Sequence, residues 1–214
     1  MSRWWRGRGT NADTPRADTL RLLAVDLETT GIEPRDNAIL ATGWVVVDGL
    51  EVLLGTARRT VVAADADVGQ SATIHRLTDD EVAAGRPLGA VVEELLGALE
   101  GRVLLAHHAP IEVGFLRLAC RALGRELPAF DVIDTMELEA RHHERRSGDV
   151  PPGALRLWAA RDRFGLPAYR AHDALMDAIS CAELYLAQVD ELAGAGPVPT
   201  LRQLRTRQRS LRSR

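Results

Sequence analysis

The strongest constraint on the fold is a set of three apolar segments joined by short turns near the start of the chain. The first extends from Leu20 to Val25 and leads into Asp26-Leu27-Glu28. The second, Ile39 to Val47, ends at Asp48-Gly49, a dipeptide typical of two-residue hairpin turns. The third, Glu51 to Val62, alternates loosely between apolar and polar residues. Short apolar runs bounded by turns are typical of strands, so we predict an antiparallel three-stranded meander.

Downstream of these segments, helical patterns alternate with short apolar runs. Helical spacing or a capped start predicts helices at 77–81, 88–99, 111–122, 135–146, 154–164 and 174–192. The runs Val103–Ala106 and Val132–Ile133 predict two more strands. Right-handed crossovers would place these strands parallel to the first. We therefore predict an α/β fold with a mixed five-stranded sheet, three antiparallel strands followed by two parallel ones, flanked by helices.

Charge is distributed unevenly along the 214 residues. Every basic residue is arginine, with three in residues 1–9 and six in residues 201–214, and neither segment contains an acid. We interpret residues 1–18 as a flexible basic arm, residues 19–193 as the folded domain and residues 194–214 as a flexible Arg-rich tail. Basic arms on an acidic body could attract a polyanion, and solvated tails without a function explain them equally well.

The remaining composition narrows the class of protein. Cys120 and Cys181 lie in apolar, helix-like contexts, which predicts buried free thiols in a reducing compartment rather than a disulfide framework. No apolar stretch approaches the roughly 20 residues that a membrane span requires. The Arg-rich start has no apolar core of a secretory signal. We therefore expect a soluble, cytoplasmic protein without membrane partners.

Asp26 and Glu28 are the first candidate site residues. They stand two residues apart at the end of a predicted strand, so their side chains project from the same face. Adjacent carboxylates repel each other unless a cation neutralises them, and oxygen ligands suit Mg²⁺ or Mn²⁺ better than zinc. Taken alone, the pair is explained equally well as ordinary acids at an exposed strand end.

His172 and Asp177 are the second candidates. Asp173 can cap the last helix, which places Asp177 in its first turn and His172 just before it. A carboxylate in a first turn is also favoured by the helix dipole, so Asp177 has a purely structural explanation. His172 could equally be an exposed loop histidine.

A third candidate segment runs from His107 to Glu112. Glu112 falls at the start of a predicted helix among apolar residues, where a carboxylate is costly unless it is paired or bound to metal. The adjacent His107 and His108 invite a zinc interpretation. Neighbouring residues on a strand point to opposite faces, however, and no cysteine or further histidine cluster completes such a site.

Together and in this order, the three segments resemble the DEDD exonucleases of the ribonuclease H-like fold, in the subgroup with histidine in the last motif. The first family motif, Asp-x-Glu-Thr-Thr-Gly, stands unbroken from Asp26 to Gly31, and the last, His-x-x-x-x-Asp, is matched by His172 and Asp177. The resemblance covers residues 20–192. Members include the proofreading epsilon subunit of bacterial DNA polymerase III, to which the chain is similar.

The second family motif departs from its usual form, His-Asn-Ala-x-Phe-Asp. Here it reads His107-His108-Ala109-Pro110-Ile111-Glu112, so the acid is one methylene longer. The family acid at this position reaches the metal through water, and a longer side chain can be accommodated if that water shifts.

The resemblance implies hydrolysis of the terminal phosphodiester by two divalent ions, Mg²⁺ or Mn²⁺. It assigns Asp26, Glu28, Glu112 and Asp177 as metal ligands and His172 as the general base. It also implies contacts with the 3′-terminal nucleotide at six positions: Thr29, Thr30, Gly31, Ile74, His75 and His108.

The expected function is therefore a proofreading or repair type 3′→5′ exonuclease that acts on single-stranded 3′ ends and releases 5′-mononucleotides. DNA is favoured over RNA as the substrate, and an RNA-trimming exoribonuclease is an alternative. A second alternative is a catalytically weak nucleic-acid-binding module or accessory subunit of a replication polymerase. The short Arg-rich tail shows no apolar anchor for a polymerase.

Overall fold

The computed structural model describes residues 14–63 and 77–206. Ile74 and His75, residues 1–13 of the predicted N-terminal arm and residues 207–214 of the predicted tail lie outside the described residues. No helix in the described part of the chain is long and apolar enough to cross a membrane.

The core of the fold is a mixed six-stranded sheet. Three antiparallel strands form one side, β1 (Arg21–Thr29), β2 (Ile39–Asp48) and β3 (Glu51–Ala63). Two strands parallel to β1 extend the other side, β5 (Val103–Ala106) and β6 (Val132–Asp134). The strand order is β4-β3-β2-β1-β5-β6, where β4 comprises Arg86–Pro87. The predicted α/β class, the antiparallel meander and the two parallel strands are confirmed.

The sequence predicts five strands, and the sheet has six, because it also contains β4. The predicted number is therefore wrong by one. β4 pairs in parallel with the end of β3 through Val62–Arg86 and Ala63–Pro87. A two-residue strand has no alternating pattern that a sequence could reveal. It also contains a proline, which sheets tolerate only at an edge.

The six predicted helices are present close to their predicted positions, and a short helix at Leu201–Leu204 lies in the segment interpreted as a flexible tail. In chain order the helices are α1 (Asp79–Ala83), α2 (Leu88–Leu99), α3 (Pro110–Ala122), α4 (Thr135–Ser147), α5 (Leu157–Arg163), α6 (Ala174–Ala193) and α7 (Leu201–Leu204). Polar caps fix three of the starts: Thr78 forms a capping box with Glu81, and the carboxylates of Asp134 and Asp173 cap α4 and α6. The helix predicted from Ala154 begins later, at Leu157.

Alternation along β1 divides the core into two layers. Leu23, Val25 and Leu27 pack in the layer that contains α2 and α3. Leu22 and Ala24 pack in the opposite layer, with α6 and α7. Asp26 and Glu28 continue the second series, so strand alternation directs both carboxylates to the face that α6 covers.

The described parts of the two predicted arms are packed against the sheet. Arg16 forms a β-bridge with Thr200, and the amide of Leu201 donates to the carbonyl of Pro15 at 2.8 Å. Leu201 and Leu204 of α7 are buried in the core. The packed body therefore extends beyond the boundaries that composition suggests at residues 19 and 193.

Candidate active site

Three carboxylates meet where the end of β1 passes the first turn of α6. One oxygen each from Asp26, Glu28 and Asp177 lies within 4.8 Å of the others. This pairs the unbroken first motif with the last motif, which are about 150 residues apart in the chain. The two acids of β1 share one face, as the strand pattern predicts.

Gly43 allows this convergence and is a residue that the motif analysis missed. It pairs with Asp26 across β1 and β2. A Cβ atom at this position would lie 2.1 Å from the backbone carbonyl carbon of Ala174 and 2.2 Å from the amide nitrogen of Leu175. Only glycine leaves room for the start of α6 to lie this close to the sheet. A lone glycine inside a predicted strand was the available signal, because it often marks a close backbone approach.

The start of α6 is held by a second set of contacts. The carboxylate of Asp173 accepts hydrogen bonds from the amides of Leu175 and Met176, each at 3.1 Å. Arg59 of β3 forms an ion pair with Asp173 at 3.1 Å. The carboxylate of Asp177 accepts a hydrogen bond of 2.8 Å from the backbone amide of His172. Asp177 therefore also fixes the loop that carries His172.

Burial and mutual repulsion dominate the electrostatics of the cluster. Burial raises the pKa of Asp26 well above its ordinary value, and the charges of Glu112, Asp177 and Glu28 raise it further. The pKa of Glu28 rises to about 7 through burial and the charges of Asp177 and Asp173, with Arg59 opposing the shift. Burial raises the pKa of Glu112 to about 8. Burial also raises the pKa of Asp177, against the hydrogen bond from His172.

Glu112 is the fourth acid of this group. It lies in the first turn of α3, is only 4% exposed, and acts on the pKa of Asp26. Within the described part of the chain, its Oε2 and the buried Oε1 of Glu28 have no hydrogen-bond partner. Unpaired buried carboxylate oxygens are costly, and a cation would remove the cost. An all-oxygen donor set of this kind fits a hard divalent cation.

His107 is a structural residue. Its Nδ1 lies 2.8 Å from the hydroxyl of Thr135, and its Nε2 lies 2.8 Å from the carbonyl oxygen of Leu155. Burial lowers the pKa of His107 to about 4, so the ring is neutral. Because both ring nitrogens are engaged, His107 joins β5, α4 and the loop before α5, and neither nitrogen is free for zinc.

His108 occupies the turn between β5 and α3 with φ of 78°. Its backbone amide donates to Oδ1 of Asp134 at 2.9 Å, and the amide of Ala109 donates to Oδ2 at 3.1 Å. Asn and His are enriched in this left-handed region relative to other non-glycine residues. The backbone thus explains why His can replace the usual Asn, and the His108 side chain is exposed at the surface.

Thr29, Thr30 and Gly31 form a tight turn directly after the acids of β1. The hydroxyl of Thr30 bonds to Asn37 and accepts from the amide of Ala38, each at 3.0 Å. A Cβ atom at Gly31 would lie 2.5 Å from Oδ1 of Asn37, so a larger residue would displace the Asn37 side chain that bonds to Thr30. The structure places this part of the predicted substrate site beside Glu28.

A cavity of about 600 Å³ adjoins the acid cluster at Asp177. His172 and Asp177 line it, together with residues of α5 and the loop after it. His172 is exposed and has φ of 63°. The imidazole is thus accessible from solvent next to the cluster.

Buried Arg161 clamps the loop that leads to His172. Its guanidinium donates to the carbonyl oxygens of Ser180 and Pro167 at 2.7 and 2.8 Å and to the carboxylate of Glu183 at 2.8 Å. The hydroxyl of Tyr169 donates to the same carboxylate at 2.9 Å. These contacts tie α5, the loop and α6 together. Motif reading missed Arg161, because its role is visible only once its partners are in place.

A protein-family model covers all the segments that form this site. The RNase_T model, described as an exonuclease family, matches residues 23–185, which is most of the chain. The chain belongs to the RNase_T exonuclease family. The match includes Asp26, Glu28, Glu112, His172 and Asp177 in one domain.

Relatives of this exonuclease family domain occur in proteins of different length. DNA polymerase III subunit epsilon of Treponema pallidum is 28% identical over 172 residues, covering 78% of this chain and 75% of that protein. Other curated relatives are much longer, and the chain spans 12% to 30% of six of them. The family domain is thus one part of those proteins.

Solved structures establish the fold of the family domain. The nuclease domain of 3′hExo, a DEDDh family member bound to rAMP, has a TM-score of 0.67 at 16% identity, covering 80% of this chain and 92% of that chain. Escherichia coli Exonuclease I in complex with a dT13 oligonucleotide has a TM-score of 0.68 at 16% identity, covering 81% and 41%. The fold is ribonuclease H-like, as the sequence resemblance implies.

Proposed function

We propose that the chain is a metal-dependent 3′→5′ exonuclease that removes 5′-mononucleotides from the 3′ end of single-stranded DNA. The observation that carries the proposal is the convergence of the carboxylates of Asp26, Glu28 and Asp177 beside an exposed histidine. Membership of the exonuclease family supports it. The epsilon subunit and the Exonuclease I complex with dT13 support DNA as the polymer.

In this proposal the four acids hold two divalent cations, Mg²⁺ or Mn²⁺. Asp26, Glu28 and Asp177 are close enough to share them. Glu112 would support one of them, because its charge acts on Asp26 and its buried Oε2 has no hydrogen-bond partner among the described residues. The bound cations would neutralise charge on the phosphate and make water a better nucleophile at neutral pH. The metal-free acids hold protons up to near-neutral pH, so cation binding displaces those protons.

His172 accepts the proton of the attacking water. Histidine can exchange a proton near neutral pH, and a general base must lie within reach of the reacting group. The amide of His172 is fixed by Asp177, which ties the position of the base to one of the metal ligands. The side chain itself is exposed and can meet a substrate.

The turn from Thr29 to Gly31 takes the 3′-terminal nucleotide. This assignment rests on the family motif and on the position of the turn directly beyond Glu28. Ile74, His75 and His108 complete the terminal subsite in the proposal. A paired base cannot enter a recessed site of this kind, so an unpaired 3′ end is the expected substrate.

RNA trimming is a second candidate function, because one structural relative is 3′hExo bound to rAMP. An accessory role beside a replication polymerase is a further possibility that the epsilon-subunit relative supports. These two candidate functions would use the same fold and the same acidic residues as the proposed DNA exonuclease.

Digestion of 5′-labelled polymers tests the proposal. Single-stranded DNA, blunt duplex DNA and RNA of one sequence are incubated with Mg²⁺, Mn²⁺ or EDTA. We expect stepwise shortening from the 3′ end, fastest for single-stranded DNA and absent in EDTA. The matched control is a DNA strand whose 3′-terminal linkage is a phosphorothioate. This strand should resist shortening. Faster shortening of RNA would favour the second candidate, and shortening in EDTA would contradict the metal mechanism.

A further inference from the structure

The cavity beside His172 is bordered by Asp177 of the acid cluster, and none of the residues of the Thr29–Gly31 turn line it. This inference rests on the proposed function. If the scissile phosphate lies at the acids, the polynucleotide must extend from it in two directions. The turn takes the terminal nucleotide, so the remaining strand leaves on the side of the cavity.

Trp158 makes the cavity suitable for a nucleobase. Its side chain lines the cavity from α5 and is 63% exposed, which is unusual for the largest apolar residue of a soluble domain. Leu157, Leu166 and Pro167 complete an apolar wall. Exposed aromatic rings in such clefts stack on bases of any sequence, because every base has a π-face.

Polar groups of α5 and of the loop after it also line the cavity, and they are engaged with each other and with α6. Arg161 is 4% exposed, and its guanidinium donates hydrogen bonds to Ser180, Pro167 and Glu183. Tyr169 is held by Glu183 and lies with its ring 4.8 Å from the Arg161 guanidinium carbon. The clamp therefore shapes the cavity, and its hydrogen bonds are directed to protein groups.

Arg156 supplies a free positive charge at the same cavity. It is exposed, it lines the cavity next to Leu157, and it forms no ion pair within residues 14–63 and 77–206. Asp162 also lines the cavity, and its negative charge disfavours a phosphate at that end. A phosphate is thus directed to the end where Arg156 lies.

We propose that this cavity is a stacking subsite for the nucleotide immediately upstream of the scissile phosphodiester. Trp158 stacks on the base, and Arg156 contacts a backbone phosphate. The ligand class is a single-stranded polynucleotide, because a base can enter the cavity only when it is unpaired. The subsite makes the enzyme prefer a polymer over a substrate that ends at the scissile bond.

The test compares an oligonucleotide with a substrate that has no upstream base. Wild type and Trp158→Ala are assayed on dT12 and on the same oligonucleotide with an abasic penultimate residue. We expect the ratio of kcat/KM for dT12 to that for the abasic oligonucleotide to fall about 5- to 100-fold in Trp158→Ala. Trp158→Phe retains a stacking ring and should recover most of the ratio. An unchanged ratio in Trp158→Ala would overturn the subsite.

Leu54→Ala is the matched control, since Leu54 is 61% exposed on β3 and lies toward the β2–β3 hairpin, away from the acids. It should leave the ratio at the wild-type value. Arg156→Gln should weaken dT12 binding and reduce the slope of log K against log salt by about 0.7, the value for one phosphate on a single strand. A slope equal to that of wild type would remove Arg156 from the subsite.

Binding measured without turnover separates the two proposals. Fluorescence anisotropy of labelled dT12 in EDTA reports the subsite even if no bond is cleaved. Weaker binding by Trp158→Ala together with no hydrolysis by wild type would sink the proposed nuclease function and keep the subsite. Hydrolysis by wild type with equal binding by Trp158→Ala would keep the function and overturn the subsite.

Discussion

Glu28 and Glu112, like Asp26, are acids whose burial carries a large electrostatic cost. Burial raises the pKa of Glu28 to about 7 and that of Glu112 to about 8, while an unfolded chain would ionise both near 4.5. Between about pH 4.5 and about pH 8 the folded protein therefore binds more protons than the unfolded chain. Its stability decreases as pH rises through this range. A group of acids that destabilises its own fold is typical of a binding site.

We predict that the metal-free protein loses stability on the order of a few kcal/mol between pH 5 and pH 8.5. Thermal unfolding in EDTA across this pH range measures the loss. Saturating Mn²⁺ should remove most of it, because the bound cation favours the ionised acids. Glu28→Gln should flatten the metal-free curve. A melting temperature that is independent of pH in EDTA would contradict the assigned pKa shifts.

The role of Glu112 in metal binding can be tested with one substitution that removes its charge and another that shortens its side chain. We predict that Glu112→Gln weakens Mn²⁺ binding at least about tenfold and raises metal-free stability at pH 8, because it removes a buried charge. Glu112→Asp keeps the charge and should retain binding within about tenfold. Isothermal titration with Mn²⁺ measures both. If Glu112→Gln binds Mn²⁺ as tightly as wild type, Glu112 is not a ligand.

At the scale of elements, the site depends on how closely α6 approaches β2. Gly43 is the contact point, because a Cβ atom there would overlap the backbone of Ala174. The first turn of α6 carries Asp177, and the loop before it carries His172. Any displacement of this helix end moves a metal ligand and the proposed base together.

We therefore predict that Gly43→Ala lowers stability by about 1–3 kcal/mol and weakens Mn²⁺ binding at least about tenfold. Gly55→Ala is the matched control, since Gly55 lies on β3 with open space where its Cβ would be. Chemical denaturation and Mn²⁺ titration of both variants provide the comparison. Wild-type Mn²⁺ affinity in Gly43→Ala would show that α6 does not need this contact.

The elements themselves were largely predictable from the sequence. Capping residues such as Thr78 and Asp173 and the alternation of β1 act locally, so the sequence reveals them. β4 and Gly43 were not found, because their roles depend on partners distant in the chain. The same holds for the Arg161 clamp.

From the sequence, the acidic residues of the site could be identified only when the three motifs were considered together and in their order along the chain. Asp26 and Glu28 share a face by strand alternation, and this the sequence predicts. Their distance from Asp177 depends on the packing of α6 on the sheet, which no local pattern encodes. The family resemblance supplied that missing information.

For the whole molecule, we propose that the folded domain includes residues 14–63 and 77–206. The two ends of the domain meet where Arg16 pairs with Thr200, and Leu201 and Leu204 enter the core. The amide of Thr206 donates to the carbonyl of Val132 at 2.8 Å. The C-terminal segment thus closes the same core layer that carries α6.

We predict that a chain ending at Pro197 is less stable than a chain ending at Thr206 by about 3–5 kcal/mol. Burial of one leucine side chain contributes about 1.5–3 kcal/mol, and Leu201 and Leu204 are both buried. Chemical denaturation of the two truncated chains measures the difference. Equal stability would mean that the segment after residue 197 is not part of the domain.

The central claim is that the convergent acids and His172 catalyse removal of 3′-terminal nucleotides. The most direct test is the rate of 5′-mononucleotide release from single-stranded DNA with Mg²⁺ by wild type, Asp26→Asn and His172→Gln. The account predicts release by wild type, a loss of about 10²–10⁴-fold in His172→Gln, and a loss at least as large in Asp26→Asn, with melting temperatures showing that both variants fold. Equal rates in the three folded proteins would contradict it.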